Sequence, residues 1–433
     1  MSELAAAAPT PPLAAVLKRH VTAAVIGNAL EFYDFTTYAY FATQIGNAFF
    51  PGDTPFMKLI LALITFGVGF ATRPIGAIVI GRYADRAGRK PAMLFSLTLM
   101  GLSIVGLALT PSYRQIGLAA PFLVLAWRLA QGFALGGEVG PTTAFLVEAA
   151  PPAKRGLYGA WQSTSQNFAA IAGGLVGVTI ASIAGGAQLE AWGWRIAFLL
   201  GALILPFGYF LRRTLPETLH RHEARLSIHP ERPHLRGHAR VLSLGVALIG
   251  GATVATYVLG YMTTYAIHTL HMSAGIALGA TIANGSAGVI GGLAGGLLSD
   301  RYGRRPLMIW PRIAFLAAIW PAFTLMVARH DAVTLLAATF VVSILSALTT
   351  ASVLVGLTES LDKSVRGIGM GAVYAIAVSV FGGTTQPIIA ALTEATGNPL
   401  SPAWYMMGAN LIALIASFLY RESAHARLAP ITP

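Results

Sequence analysis

Residues able to carry charge or grip an anion sit inside stretches that are otherwise fit for lipid. Asn28, Glu31 and Asp34 recur every three residues and would form one slowly drifting polar stripe on a helix. Two carboxylates in such a stripe suit cation coupling, because a carboxyl in a partly dry site can load and release a proton. Glu138 joins them as a third interior acid. A static ion pair with Arg128 or Arg73 is the plainer alternative. Arg128 and Gln131 lie one turn apart, with Gly132 beside them for close helix approach. The guanidinium can hold a substrate carboxylate by two parallel bonds or neutralise Asp34, and the two roles can alternate. Further on, Gln162-Ser163-Thr164-Ser165-Gln166-Asn167 cannot all face lipid, so some line a cavity or bond another helix. Gln162 and Gln166, one turn apart, are the ligand-lining candidates. Tyr257, Thr350 and Tyr374 are weaker candidates in the second half, with Thr256, Tyr261, Asn284, Thr349 and Ser379 behind them. Asn28, Arg128 and Gln131 complete the expected substrate set.

A second kind of chemistry occurs twice. The decapeptide 81–90, with Asp85, Arg86, Gly88 and Arg89, returns at 296–305 with Asp300, Arg301, Gly303 and Arg304. Glu148 ahead of Arg155-Gly156 likewise returns as Glu359 ahead of Arg366-Gly367. Two charged patterns repeated in the same order mean an internal duplication. Ion pairs and helix-end contacts are expected among Asp85, Arg89, Glu148 and Arg155, and again among Asp300, Arg304, Glu359 and Arg366. These are gate elements that hold one side closed, not ligand contacts.

The elements that must position these residues are membrane helices. The chain is 55% hydrophobic and 11% charged, with mean hydropathy +0.66; a soluble domain carries about 25% charged residues. About 20 apolar residues cross the hydrocarbon core, and twelve such segments can be read in two homologous halves. In the first half they are 21–45, 57–82, 91–110, 118–149, 156–183 and 194–212. In the second they are 241–268, 275–299, 306–328, 332–358, 366–394 and 402–420. The domain boundaries are a tail at 1–20, a first bundle at 21–213, a linker at 214–240, a second bundle at 241–421 and a tail at 422–433. The N-terminus has no long apolar core before Lys18, so the first segment is expected to remain as a helix.

Charge placement gives the topology. Most of the 29 Lys and Arg fall in alternate loops and both tails, and only Lys58, Arg114, Arg195 and Arg329 fall in the other loops. Both termini and the duplicated loops are therefore expected in the cytoplasm. The net charge of +12 belongs to this pattern rather than to nucleic acid. Within the spans, a charge costs about 2.5–3.5 kcal/mol at mid-bilayer. Glu31, Asp34 and Glu138 therefore need Arg73, Arg128 and Arg312, or water, as partners. Arg312, one turn into its helix after Trp310-Pro311, is expected to snorkel to the inner surface. In the linker, His220, His222, His229, His234 and His238 read as part of a solvated basic segment more readily than as a metal site. The absence of cysteine removes disulfides, thiolate metal sites and thiol nucleophiles. With no nucleophile–base pair, metal motif or nucleotide loop, neither an enzyme nor a cofactor is expected.

The duplicated loop resembles the signature of the major facilitator superfamily. More narrowly, the chain is similar to its metabolite:proton symporters, through Asn28-x-x-Glu31-x-x-Asp34, Gly69-Phe70-x-x-Arg73-Pro74-x-Gly76, Arg128-x-x-Gln131-Gly132, Trp192-Gly193-Trp194-Arg195 and Phe381-Gly382-Gly383-Thr384. The citrate/tricarballylate carriers are the nearest likeness, through Trp161-Gln162-Ser163-x-Ser165-Gln166, Leu357-Thr358-Glu359 and Ser401-Pro402-x-Trp404. Thr349-Thr350 and Arg312 depart from that pattern. The resemblance implies an all-α membrane protein of two pseudo-symmetric six-helix bundles, rocking about a midplane site. The antiporter motif Gly-x-x-x-x-Gly-Pro is missing from 169–180, which favours symport.

The expectation is a monomeric secondary transporter in a bacterial inner membrane, importing an organic anion with H⁺, or with Na⁺ as the alternative. Citrate or tricarballylate comes first, then α-ketoglutarate or another dicarboxylate, shikimate, and proline or betaine. A channel and a transport-dead sensor are the rivals from other classes.

Overall fold

The computed structural model describes residues 13–87, 89–136, 146–147, 150–213 and 238–423, and every regular element among them is helical. In the first half these are α1 (Leu13–Tyr40), α2 (Ala42–Phe49), α3 (Pro55–Val68), α4 (Arg73–Ala87), α5 (Arg89–Leu109), α6 (Tyr113–Ile116), α7 (Ala119–Leu135), α8 (Arg155–Gln188) and α9 (Trp194–Arg213). The second half has α10 (Ala239–Gly260), α11 (Met262–His268), α12 (Ala274–Tyr302), α13 (Arg304–Arg329), α14 (Ala332–Glu359), α15 (Lys363–Ala377), α16 (Gly383–Thr396) and α17 (Ser401–Leu419). Eight spans among the described residues are long and apolar enough to cross a membrane, and Leu94–Leu109 and Ala119–Leu135 are shorter apolar helices. With α1 and α9 they account for the twelve segments. Ile183 and Val333 are 82% and 77% exposed; apolar side chains so bare on helices this long are placed for lipid tails, not water.

Helix starts follow from local chemistry. Thr54 caps α3 by accepting the Met57 N–H at 3.2 Å, and Pro55 takes the first turn, where its missing N–H costs nothing. Asp331 caps α14, accepting the Thr334 N–H at 2.8 Å and its hydroxyl at 2.7 Å. Those bonds hold the Asp331 carboxyl below the usual range.

Two of the twelve segments are interrupted where the halves meet; among the described residues the first segment is also broken at Phe41 and the seventh at Tyr261. The second breaks between α3 and α4, and the eleventh passes through a π turn at Val378–Gly382. Pro74 explains the break in the second: it has no N–H to give the Phe70 carbonyl one turn back. That carbonyl accepts the Arg73 N–H at 3.2 Å and, from the π turn of the other half, the Ser379 hydroxyl at 3.1 Å. The two interruptions pack closely, since a Cβ on Gly383 would stand 2.7 Å from the Gly67 carbonyl oxygen. The other seam between halves is α8 against α12, where a Cβ on Gly296 would stand 2.7 Å from the Gly156 carbonyl oxygen. Glycine at both seams lets backbones touch where lipid gives no hydrophobic drive for association.

Candidate functional site

The polar stripe of α1 meets α7 and α8 inside the first bundle. Asp34 is 1% exposed, and its Oδ2 accepts the Gln131 amide at 2.8 Å. The Gln131 carbonyl oxygen in turn accepts Arg128 Nη1 at 2.6 Å. Acid and base are thus joined through one amide, whose orientation is fixed because only one end can donate. Asp34 Oδ1 has no hydrogen-bond partner among the described residues. Arg128 is wedged between aromatic faces, 4.4 Å from the Tyr38 ring centroid and 4.9 Å from that of Phe66. Asn28 turns to α8, donating to the Gln162 carbonyl at 3.0 Å and to Ser165 Oγ at 2.7 Å. The side chains of Glu31 and Glu138 lie outside the described residues.

A cavity of about 150 Å³ lies between the halves. Of the substrate candidates, Gln162, Gln166, Tyr257, Thr350 and Tyr374 line it. Asn28, Arg128 and Gln131 do not, so the expected direct grip of Arg128 on a ligand is not the arrangement seen. The reason is steric: Phe66 forms part of the wall and Arg128 stacks behind it. Arg73 is similarly placed, 4.3 Å from the Phe70 centroid, and Phe70 meets the lining residue Tyr257 edge to face at 5.4 Å. No Lys or Arg lines the cavity among the described residues. The weaker candidates Thr256 and Asn284 do line it, whereas Thr349, Tyr261 and Ser379 do not. Thr36, Tyr40, Thr253, Ser346 and Gln386 line it too and went unnoticed in the sequence. They are scattered over α1, α10, α14 and α16, so no one local pattern marks them.

At the end carrying the duplicated loops, the second copy is assembled. Asp300 accepts the N–H groups of Gly156 and Leu157 at 2.7 and 2.9 Å, binding the first turn of α8 across the two halves. A carboxylate at a helix N-terminus is stabilised by unpaired N–H groups and the helix dipole. Arg304, 2% exposed, pairs with Asp300 at 2.7 Å and with both oxygens of Glu359 at 3.0 and 3.1 Å. Glu422 then accepts the backbone N–H groups of Arg304 and Arg305 at 2.9 and 3.0 Å. Gly303 makes room for it: φ is +100°, and a Cβ would stand 2.7 Å from a Glu422 oxygen. Glu422, the first residue of the tail by sequence, thus belongs to this cluster. Of the first copy, Arg155 opens α8, while the side chains of Asp85, Arg89 and Glu148, and of Arg366 in the second copy, lie outside the described residues. At the opposite end Thr43 Oγ1 and His268 Nε2 meet at 3.0 Å, again across the halves.

Arg312 corrects another expectation. It is 1% exposed and does not snorkel; Nη1 donates to the Ala413 carbonyl at 2.9 Å and to Ser417 Oγ at 2.8 Å on α17. The α13–α17 contact covers it before it can reach an aqueous surface. The linker histidines lie outside the described residues except His238, whose Nε2 is 3.1 Å from Asp362.

The profile of the Major Facilitator Superfamily matches residues 24–296, and that of the sugar (and other) transporters matches residues 231–433. The chain is 36% identical to a citrate-proton symporter of Klebsiella pneumoniae over 92% of its own length and 90% of the relative's. It is 33% identical to a proline/betaine transporter of Salmonella typhimurium, over 96% and 86%. Among solved structures, a D-xylose-proton symporter superposes with TM-score 0.74 at 18% identity, over 95% of this chain and 99% of the other.

Proposed function

The chain belongs to the major facilitator superfamily, and from that premise we propose that it imports a small organic polycarboxylate with protons by alternating access. Citrate or tricarballylate is the first candidate. The observation that carries the coupling half of this reading is the buried Asp34–Gln131–Arg128 chain. An acid with one unpaired oxygen, held beside a guanidinium through a single amide, can take a proton and release its hold on the base. Arg128 is then free to act on an anion once Phe66 moves.

The substrate half rests on likeness to citrate-proton symporters and on the interior bases Arg73 and Arg128. A cavity wall without a base favours, as second reading, an acid of lower charge: α-ketoglutarate, another dicarboxylate or shikimate. A channel is disfavoured by cross-bundle contacts at both ends, Asp300 with α8 and Thr43 with His268. The protein works as a monomer, with both termini and the Asp300 cluster on the cytoplasmic side, in this reading.

Uptake of labelled organic acids into proteoliposomes, with pH and Na⁺ gradients imposed separately, tests it. Concentrative citrate or tricarballylate uptake driven by the pH gradient is expected. Uptake only of betaine or proline, or uptake driven by Na⁺ alone, would refute it.

A further inference from the structure

Many polar groups in the cavity wall are already spent on other protein groups. The hydroxyls of Thr36, Thr256, Ser163 and Thr350 donate to carbonyls one turn back, and Ser343 donates to Asn284. Gln162 is tied to Asn28, and Gln386 donates to the Tyr257 carbonyl. The Tyr257 hydroxyl has no hydrogen-bond partner among the described residues, although the residue lines the cavity.

Its ring is held from three sides. Phe70 meets it edge to face at 5.4 Å, Phe66 is tilted at 6.1 Å, and a Cβ on Gly382 would stand 2.9 Å from it. Such a ring has little rotamer freedom to lose on binding. Arg73 lies across the Phe70 ring, 4.3 Å from its centroid, and Phe70 meets Tyr257 edge to face, so the guanidinium stands one ring away from the phenol. A cation near a phenol strengthens it as a donor, and a bond from it to a carboxylate is charge-assisted.

We propose that Tyr257 donates the hydrogen bond that seats the substrate carboxylate, with Arg73 as the positioning residue that makes it a strong donor. The arrangement lets a wall without a base hold an acid, because positive charge reaches the ligand through a phenol instead of by contact. It also favours carboxylates over their amides, since only the charged acceptor gains from the polarised hydroxyl. This assignment rests on the organic-anion reading above.

The test is uptake kinetics for the transported acid and its monoamide in proteoliposomes, with Tyr257→Phe, Arg73→Gln, Arg73→Lys and the Tyr257→Phe/Arg73→Gln pair. Tyr257→Phe keeps the ring and its packing, so the fold should survive. It should raise KM for the acid about tenfold or more, the worth of a hydrogen bond to a charged group. Its kcat should stay within about threefold, and its preference for acid over amide should fall. Arg73→Gln should give the same KM rise, Arg73→Lys should restore most of the affinity, and the double variant should be no worse than Tyr257→Phe. An unchanged KM in Tyr257→Phe overturns the assignment while leaving the transporter reading intact. Additive losses in the double variant overturn the role given to Arg73. A wild type that moves only zwitterions refutes the organic-anion reading, and this assignment with it.

Discussion

Gln131 joins Asp34 to Arg128 by one donor and one acceptor, so changes at either end should separate coupling from binding. Asp34→Asn removes the group that can cycle a proton but keeps a polar side chain against Gln131. Expected is loss of uphill accumulation, with counterflow exchange kept within about threefold of wild type. Accumulation at the wild-type level in parallel assays would remove Asp34 from the coupling role. Arg128→Lys keeps the charge and loses the planar group that lies against Tyr38 and Phe66 while donating to Gln131. Transport should fall about tenfold or more, the scale of one charge-assisted bond. Wild-type rates with lysine would mean that Arg128 supplies only charge.

At the scale of elements, the contact between the end of α12 and the start of α8 is a latch. Asp300→Asn weakens two backbone bonds and the Arg304 pair, each a charged hydrogen bond in the latched state. Bonds to charged groups are worth roughly 1.5–3 kcal/mol, enough to shift the balance of closed and open forms about tenfold or more. Turnover should slow while substrate affinity stays within about threefold, since Asp300 is remote from the cavity lining. An affinity loss in properly folded protein would place it in the binding site instead. Arg312 marks the opposite case. Its Nε and Nη2 have no partners among the described residues, and Ser417 also donates to the Ala413 carbonyl at 2.8 Å. Replacing a buried charge by a well-packed apolar group is often neutral or stabilising. Arg312→Met should therefore keep transport and melt in detergent no lower than wild type; a lower melting temperature would show that the α13–α17 bonds stabilise the bundle.

For the whole molecule, the proposed transport has proton and anion share one interior, in which Asp34 is a buried acid and Arg73 and Arg128 are buried bases among the described residues. If protonating an interior acid leaves the site more positive, each ligand must raise the other's affinity by the same factor. Citrate or a dicarboxylate should therefore bind more tightly at acidic than at neutral pH, by titration calorimetry or thermal shift, and Asp34→Asn should flatten that dependence. A pH-independent affinity in wild type would break the linkage.

Much was legible in the sequence because it depends on composition and repetition. The apolar spans, the duplicated loops and the all-α membrane fold follow from the cost of leaving backbone or charge unsatisfied in lipid. That the polar positions Asn28 and Asp34 drift around one helix follows from its period; in the structure the drift turns Asn28 to α8 and Asp34 to α7. The period does not say how each helix is turned toward its neighbours. Glycine-lined close packing at α3–α16 and α8–α12 fixes that rotation, and only then does Phe66 stand between Arg128 and the cavity while Tyr257 lines it. The same packing gives the Phe70 carbonyl, which Pro74 cannot serve, a second donor in Ser379 from the other half of the chain. It also brings Glu422 against Gly303. These pairings are far apart in sequence and have no repeat, so they exist only once the helices are packed together.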